Sequence, residues 1–173
     1  MIRDSFFLIV MTMGLNIAGF LFHIIMARFL GADGYGDLGT LLTILYIINV
    51  PLNVVQTSLT RFISEYKTKN EHDKINSIIR ASLKYFFIIG FALFVLAMLL
   101  APFLSDFLHL EKIHLVLLSP IIIFAFLLPV GRGALQGLQE FKKLGVNLAL
   151  EGLFKLAFGA GLVYIGLKVS GAV

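Results

Sequence analysis

Long stretches without Asp, Glu, Lys or Arg alternate with short charged segments along this 173-residue chain. Four stretches are free of formal charge: Ser5–Ala27, Leu38–Thr60, Tyr85–Ser105 and Ile113–Gly131, of 23, 23, 21 and 19 residues. A helix needs roughly 20 apolar residues to cross the hydrocarbon layer, so each stretch has the length of one crossing. A fifth, Leu144–Leu167, is as long but carries Glu151 and Lys155. It can cross only with those charges turned toward protein or water. The pattern therefore predicts five helical spans, over residues 5–30, 38–62, 83–105, 113–135 and 144–167. Between the second and third, Ile75, Ile78, Ile79 and Leu83 form an apolar stripe at helical spacing, flanked by Lys74, Arg80 and Lys84. Residues 70–84 read as an amphipathic cytoplasmic helix, an extension of the third span under anionic headgroups in preference to a partner-binding site.

Composition agrees with the pattern. The chain is 59% hydrophobic and 14% charged, with a mean hydropathy of +0.97, outside the range of soluble domains. Seventeen Phe fill a lipid-embedded body, and sixteen Gly allow helices to approach closely. With no Cys, disulfides, thiol catalysis and thiolate-bound metals are excluded. The expected fold is an all-α polytopic transmembrane bundle forming a single transmembrane domain. The Met1-Ile2-Arg3-Asp4 start does not read as a cleavable signal peptide, because the following apolar run is too long and lacks a small-residue cleavage site. Alternating the spans puts Arg3, Lys67, Lys69, Lys74, Arg80, Lys84, Lys142 and Lys143 on one side, against Arg28, Lys112 and Lys168 on the other. The positive-inside rule then places the N-terminus in the cytoplasm. The net charge of +4 is thus a matter of topology, and nucleic acid is not an expected partner.

Three segments carry a family resemblance. The string Ala27-Arg28-Phe29-Leu30-Gly31-Ala32-Asp33-Gly34-Tyr35-Gly36 resembles the A-R-x-L-G-x-x-x-Y-G signature of oligosaccharide flippases, the polysaccharide biosynthesis family. Residues Ser58 to Tyr66 and Arg132 to Phe141 are similar to family segments at the same topological places. The resemblance covers essentially the whole chain. It implies the multidrug and oligosaccharidyl-lipid exporter superfamily, whose members have two six-helix lobes around a central cavity. This chain would then be an incomplete N-terminal lobe, a fragment or truncated frame that needs a second lobe, another copy or another polypeptide to transport. The implied function is carriage of a polyprenyl-diphosphate-linked glycan across the cytoplasmic membrane by alternating access, with membrane lipids as the other partners. Two rivals remain: a cation-coupled multidrug antiporter of the same superfamily, and a non-transporting scaffold for glycan-assembly enzymes.

Such a transporter performs no covalent chemistry and needs no cofactor; what it needs is a cationic groove for phosphate and polar lining for glycan. Lys155 lies nearest mid-membrane and is the leading phosphate candidate, although Glu151, one helical turn away, can neutralise it as an i,i+4 pair. Arg61 and Arg132, toward the inner ends of their spans, suit bidentate capture of the diphosphate or, alternatively, snorkelling to headgroups. Asn49, Asn53 and Gln56 form a polar stripe beside Pro51 that either lines a hydrated path or joins helices. Glu151 and His23 are candidates for ion coupling. Gly31, Gly34 and Gly36 fit a tight turn between the first two spans. Enzyme signatures are missing, and Asp106, His109, Glu111 and His114 read as a solvated outer turn in preference to a cation site.

Overall fold

The structure, a computed structural model, describes residues 2–163 and 169. Among them every regular element is helical: α1 (Ile2–Thr68), α2 (His72–Leu108), α3 (Lys112–Gly137) and α4 (Phe141–Leu162). Three of these, α1, α2 and α3, are long and apolar enough to cross a membrane. The fifth predicted span corresponds to α4, and its last residues, 164–167, lie outside the described residues.

Helix α1 is two limbs, not one rod. Gly31 breaks it with φ 70° and ψ −172°, a conformation open essentially only to glycine. His23 Nδ1 and Tyr35 Oη lie 3.1 Å apart across this break. In an unbroken helix their Cα atoms would be separated by about 18 Å along the axis, beyond the joint reach of the two side chains. The chain therefore folds back at Gly31. A Cβ there would meet nothing within 4 Å, so the demand for glycine is purely one of backbone conformation. Gly31→Ala should cost about 1–3 kcal/mol, read as a lowered unfolding midpoint in detergent, with no change in helix content. Of the three glycines expected to make this turn, only Gly31 has positive φ. Gly34 and Gly36 lie within the second limb, which begins directly after the break.

The other connections follow a different rule. Each is three residues long and places a non-glycine residue in the left-handed region: Asn70 at φ 57°, His109 at φ 55° and Gln139 at φ 59°. In each, the next amide reaches back across the final helical turn: Glu71 N to Tyr66 O at 3.0 Å, Leu110 N to Ser105 O at 3.1 Å, Glu140 N to Leu135 O at 2.8 Å. These are Schellman-type ends, which satisfy carbonyls that a helix terminus leaves open. Lys67 Nζ adds a donor to Leu138 O, placing positive charge at the C-terminus of α3. Lys69 donates to Glu65 at 2.7 Å. That bond and its charge hold the Glu65 carboxyl below its ordinary range, and the Lys69 ammonium rises in turn.

The chain packs as two compact units, Met1–Leu42 with Phe141–Val173, and Thr43–Glu140. In the first, α4 runs parallel to the opening limb of α1 along a seam of glycines seven residues apart. A Cβ on Gly145 would lie 3.0 Å from the Phe7 ring, one on Gly152 3.1 Å from Leu15 Cδ1, and one on Gly159 2.6 Å from the Phe22 ring. Phe22 and Met26 are fully buried in this unit. Spacing by seven keeps the contact on one stripe of each helix, as in left-handed helix pairs.

The second unit is an up-down-up arrangement of the later part of α1, α2 and α3. Here α3 runs parallel to α1, with Gly133 against Gln56 and Leu59 and Gly137 against Thr60 and Ile63. Helix α2 runs antiparallel to both. Gly90 admits Ile123 and Phe126, and at the other end Ile75 joins Leu59, Ile63, Val130 and Ala134 in a buried cluster. Ile78 and Ile79 pack on that cluster. Ile75, Ile78 and Ile79 of the apolar stripe thus pack against protein while Leu83 is exposed, and residues 72–84 form the first part of α2.

Candidate functional site

Two polar groupings emerge, one in each unit. In the first unit, Lys155 lies 14 residues after the start of α4, about 21 Å along it at 1.5 Å per residue. It sits between Gly152 and Gly159 on the seam, so its stem points at α1, and its Nζ stands 4.7 Å from the centroid of the buried Phe22 ring. An ammonium over an aromatic face gains from the ring quadrupole, more so when desolvated. Glu151 is exposed on the preceding turn and acts electrostatically on Lys155. His23, adjacent to Phe22, lies within the field of Lys155 and meets the Tyr35 hydroxyl at 3.1 Å. The structure thus brings Glu151, Lys155 and His23 together. Tyr35, the partner that sequence reasoning missed, closes the group because the chain reverses at Gly31. The Y-G of the signature string was the available signal.

In the second unit, Gln56 turns its amide to α3 and donates from Nε2 to Gln136 Oε1 at 3.4 Å. The Thr60 hydroxyl lies 2.8 Å from the Gln56 carbonyl, 3.3 Å from that of Gly133 and 3.4 Å from Gln136 Oε1. It has one hydrogen for three acceptors, so it donates to one at a time. Gln136 and Thr60 were not singled out in the sequence, although both fall inside the family-like segments Ser58 to Tyr66 and Arg132 to Phe141. Thr60→Val should cost about 0.6 kcal/mol of α1–α3 association, measured by a thermal midpoint, without disturbing helix content.

The remaining candidates are more dispersed. Asn49 is exposed and donates to the Leu45 carbonyl of its own helix at 2.8 Å, while Asn53 is exposed one turn later. Of the polar stripe, only Gln56 therefore joins the interhelical group. Arg61 is exposed and within the field of Glu65. Arg132 is half-buried on α3. At the far end of this unit His114 is buried, whereas Asp106, His109 and Glu111 are exposed. Among the described residues no group of three or more His, Asp or Glu could hold a metal ion.

The comparisons with known proteins bear on the chain as a whole. It matches the polysaccharide biosynthesis protein family over residues 1–173. The chain belongs to this family. The chain is similar to stage V sporulation protein B of Bacillus subtilis (strain 168), with 23% identity in an alignment 171 positions long that covers 92% of this chain and 32% of that protein. The chain thus spans about a third of the length of this curated relative. No solved structure matches it. With its apolar helices, this polysaccharide biosynthesis protein is a multi-pass membrane protein.

Proposed function

We propose that the chain is a lobe of a flippase that moves lipid-linked oligosaccharide across the cytoplasmic membrane. In this reading it crosses the bilayer five times, from a cytoplasmic N-terminus: once with each limb of α1, then with α2, α3 and α4. The second limb of α1, from residue 32 to 68, has about 55 Å of helix for a hydrocarbon layer of about 30 Å. That leaves ample length outside the layer for Asp33, Asp37, Glu65 and Lys67.

The observation that carries the proposal is the placement of Lys155. A cation this far along an apolar helix is costly, by about 2.5–3.5 kcal/mol on insertion scales, unless it faces protein or water. Its Nζ lies over the Phe22 ring, and it interacts electrostatically with Glu151 and with His23. Such a charge offers a phosphate a partner inside the membrane while its neighbours hold it in the absence of substrate. Arg61 and Arg132 supply forks for the diphosphate near the cytoplasmic end. Asn49, Asn53 and Gln56 offer hydrogen bonds to the glycan, and Glu151 and His23 are the ion-coupling candidates. The lipid tail stays in the bilayer, and no covalent step is required. Alternating access needs a second lobe to rock against this one.

The test joins the chain to a second lobe and follows delivery of lipid-linked glycan to the outer leaflet. Lys155→Ala together with Arg61→Ala should abolish delivery at unchanged protein level. Normal glycan export by that pair of substitutions would defeat the cationic-path mechanism.

A further inference from the structure

One face of α2 is built like a lipid. Arg80, Lys84, Phe87 and Phe91 follow one another at spacings of four, three and four, which places them on a single stripe. All four are exposed, Phe87 by 50% and Phe91 by 49%. The two phenylalanine rings stack with centroids 6.2 Å apart, and the Phe94 ring continues the surface 5.8 Å beyond Phe91. Among the described residues, neither Arg80 nor Lys84 makes a hydrogen bond or ion pair, whereas Lys67 at the end of α1, Lys69 in the following connection and Lys74 at the start of α2 are all engaged. Asp73 lies two turns below Arg80 on this stripe, about 10 Å away, too far to neutralise it.

The depth of these groups can be read from the helix itself. Tyr85 to Ser105 is uncharged, so the hydrocarbon boundary falls at Lys84, and the exposed Tyr85 stands where interfacial tyrosines stand. Arg80 is one turn, about 6 Å, further out, within the headgroup layer. Phe87 and Phe91 reach about 10 Å inward from Lys84, along the upper half of an acyl chain.

We propose that this stripe is a binding site for an anionic phospholipid, with the phosphodiester held by Arg80 and Lys84 and an acyl chain laid along Phe87, Phe91 and Phe94. Charge complementarity selects the headgroup: two unpaired cations one turn apart face a layer whose anionic members carry phosphate without a compensating ammonium. A guanidinium offers that phosphate two parallel donors, and the ammonium adds a point charge. The site does not depend on what the protein transports, nor on which leaflet this end of α2 occupies.

The chain contains no tryptophan, so Phe91→Trp creates a single fluorescent reporter on the stripe. The experiment places this variant in vesicles of phosphatidylcholine with rising fractions of phosphatidylglycerol, either lipid carrying bromine on its acyl chains as the quencher. Each cation near an anionic surface contributes about fivefold. With two cations, brominated phosphatidylglycerol should therefore quench at a mole fraction about 25-fold lower than brominated phosphatidylcholine. Arg80→Ala with Lys84→Ala should abolish the preference, and exchanging the two residues for one another should preserve it. Phe87→Trp serves as a second reporter should the first lower helix content. Equal quenching by the two lipids, or a preference that survives removal of both cations, overturns the proposal. So does displacement of phosphatidylglycerol by polyprenyl phosphate at a much lower mole fraction, which would assign the stripe to a glycan carrier.

Discussion

Replacing Gly137 by leucine should separate α3 from α1 and unfold the second unit at a markedly lower temperature. A single added Cβ at this position would lie 2.8 Å from Ile63 Cβ and 2.8 Å from the Thr60 carbonyl oxygen. Neither can yield by a rotamer change, because one is the root of a fully buried side chain and the other is backbone. The helices must therefore move apart. This strips contacts from Leu59, Ile63, Val130 and Ala134, the buried cluster on which this end of α2 also packs. Overpacking of a close-packed interior costs about 1–3 kcal/mol, and the leucine change belongs at the upper end. Gly131 is the internal control. A Cβ there meets nothing within 4 Å, so Gly131→Ala should leave the midpoint unchanged or slightly raised. Thermal unfolding in detergent, followed by circular dichroism, measures both; equal midpoints for the two variants would refute the close-contact explanation.

Lys155→Met carries the largest expected effect on transport. Methionine keeps an unbranched apolar stem as far as Cε but removes the ammonium that stands over Phe22, so folding should survive. Export of lipid-linked glycan with a second lobe present should fall by at least tenfold, which corresponds to about 1.4 kcal/mol of lost interaction with phosphate. Lys155→Arg should retain part of the activity, because the charge remains while the fit over the ring changes. Glu151→Gln separates the two roles open to the pair. If Glu151 only balances Lys155, the variant leaves a cation without its counter-charge, and stability should fall while Lys155→Met with Glu151→Gln restores it. If Glu151 couples transport to an ion, Glu151→Gln alone fails to export even at unchanged stability, and export by the parent but not by the variant responds to the ion gradient. A double-mutant cycle on midpoint and export rate together resolves this.

Much of the fold was legible because membrane crossing leaves a coarse signal. Twenty uncharged residues in a row are hard to place elsewhere, and each uncharged run lies within a helix. Charge, however, marks where the membrane ends, not where a helix ends. Asp33 and Asp37 close the uncharged run, yet the second limb of α1 starts at residue 32; Lys74, Arg80 and Lys84 lie outside the third run, yet α2 begins at His72. The turn between the first two runs was readable from its glycines, but which glycine bends depends on backbone geometry that composition does not encode. The stripe at Ile75, Ile78 and Ile79 showed that a face would be covered and could not show by what.

The candidate site was legible only residue by residue. Lys155 and Glu151 stand out because charges in an apolar run are expensive, and His23 because it is polar there. Their association with each other and with Tyr35 depends on a reversal at one residue and on a parallel pairing of segments more than a hundred residues apart in sequence. No local pattern reports such pairing. Asn49 and Asn53 share a helical stripe with Gln56, but a stripe does not say which amide bonds its own backbone, as Asn49 does, and which crosses to a neighbour.

The seam of Gly145, Gly152 and Gly159 also has an entropic side. Lipid surrounds apolar side chains as readily as protein does, so two helices in a bilayer gain little from hiding apolar surface and must associate by close fit. What opposes them is the freezing of side-chain rotamers. Glycine has none to freeze, and Ala18 on the facing helix has none either. This contact therefore gains its dispersion energy while giving up rotamer freedom mainly on the α1 side, at Phe7, Leu15 and Phe22.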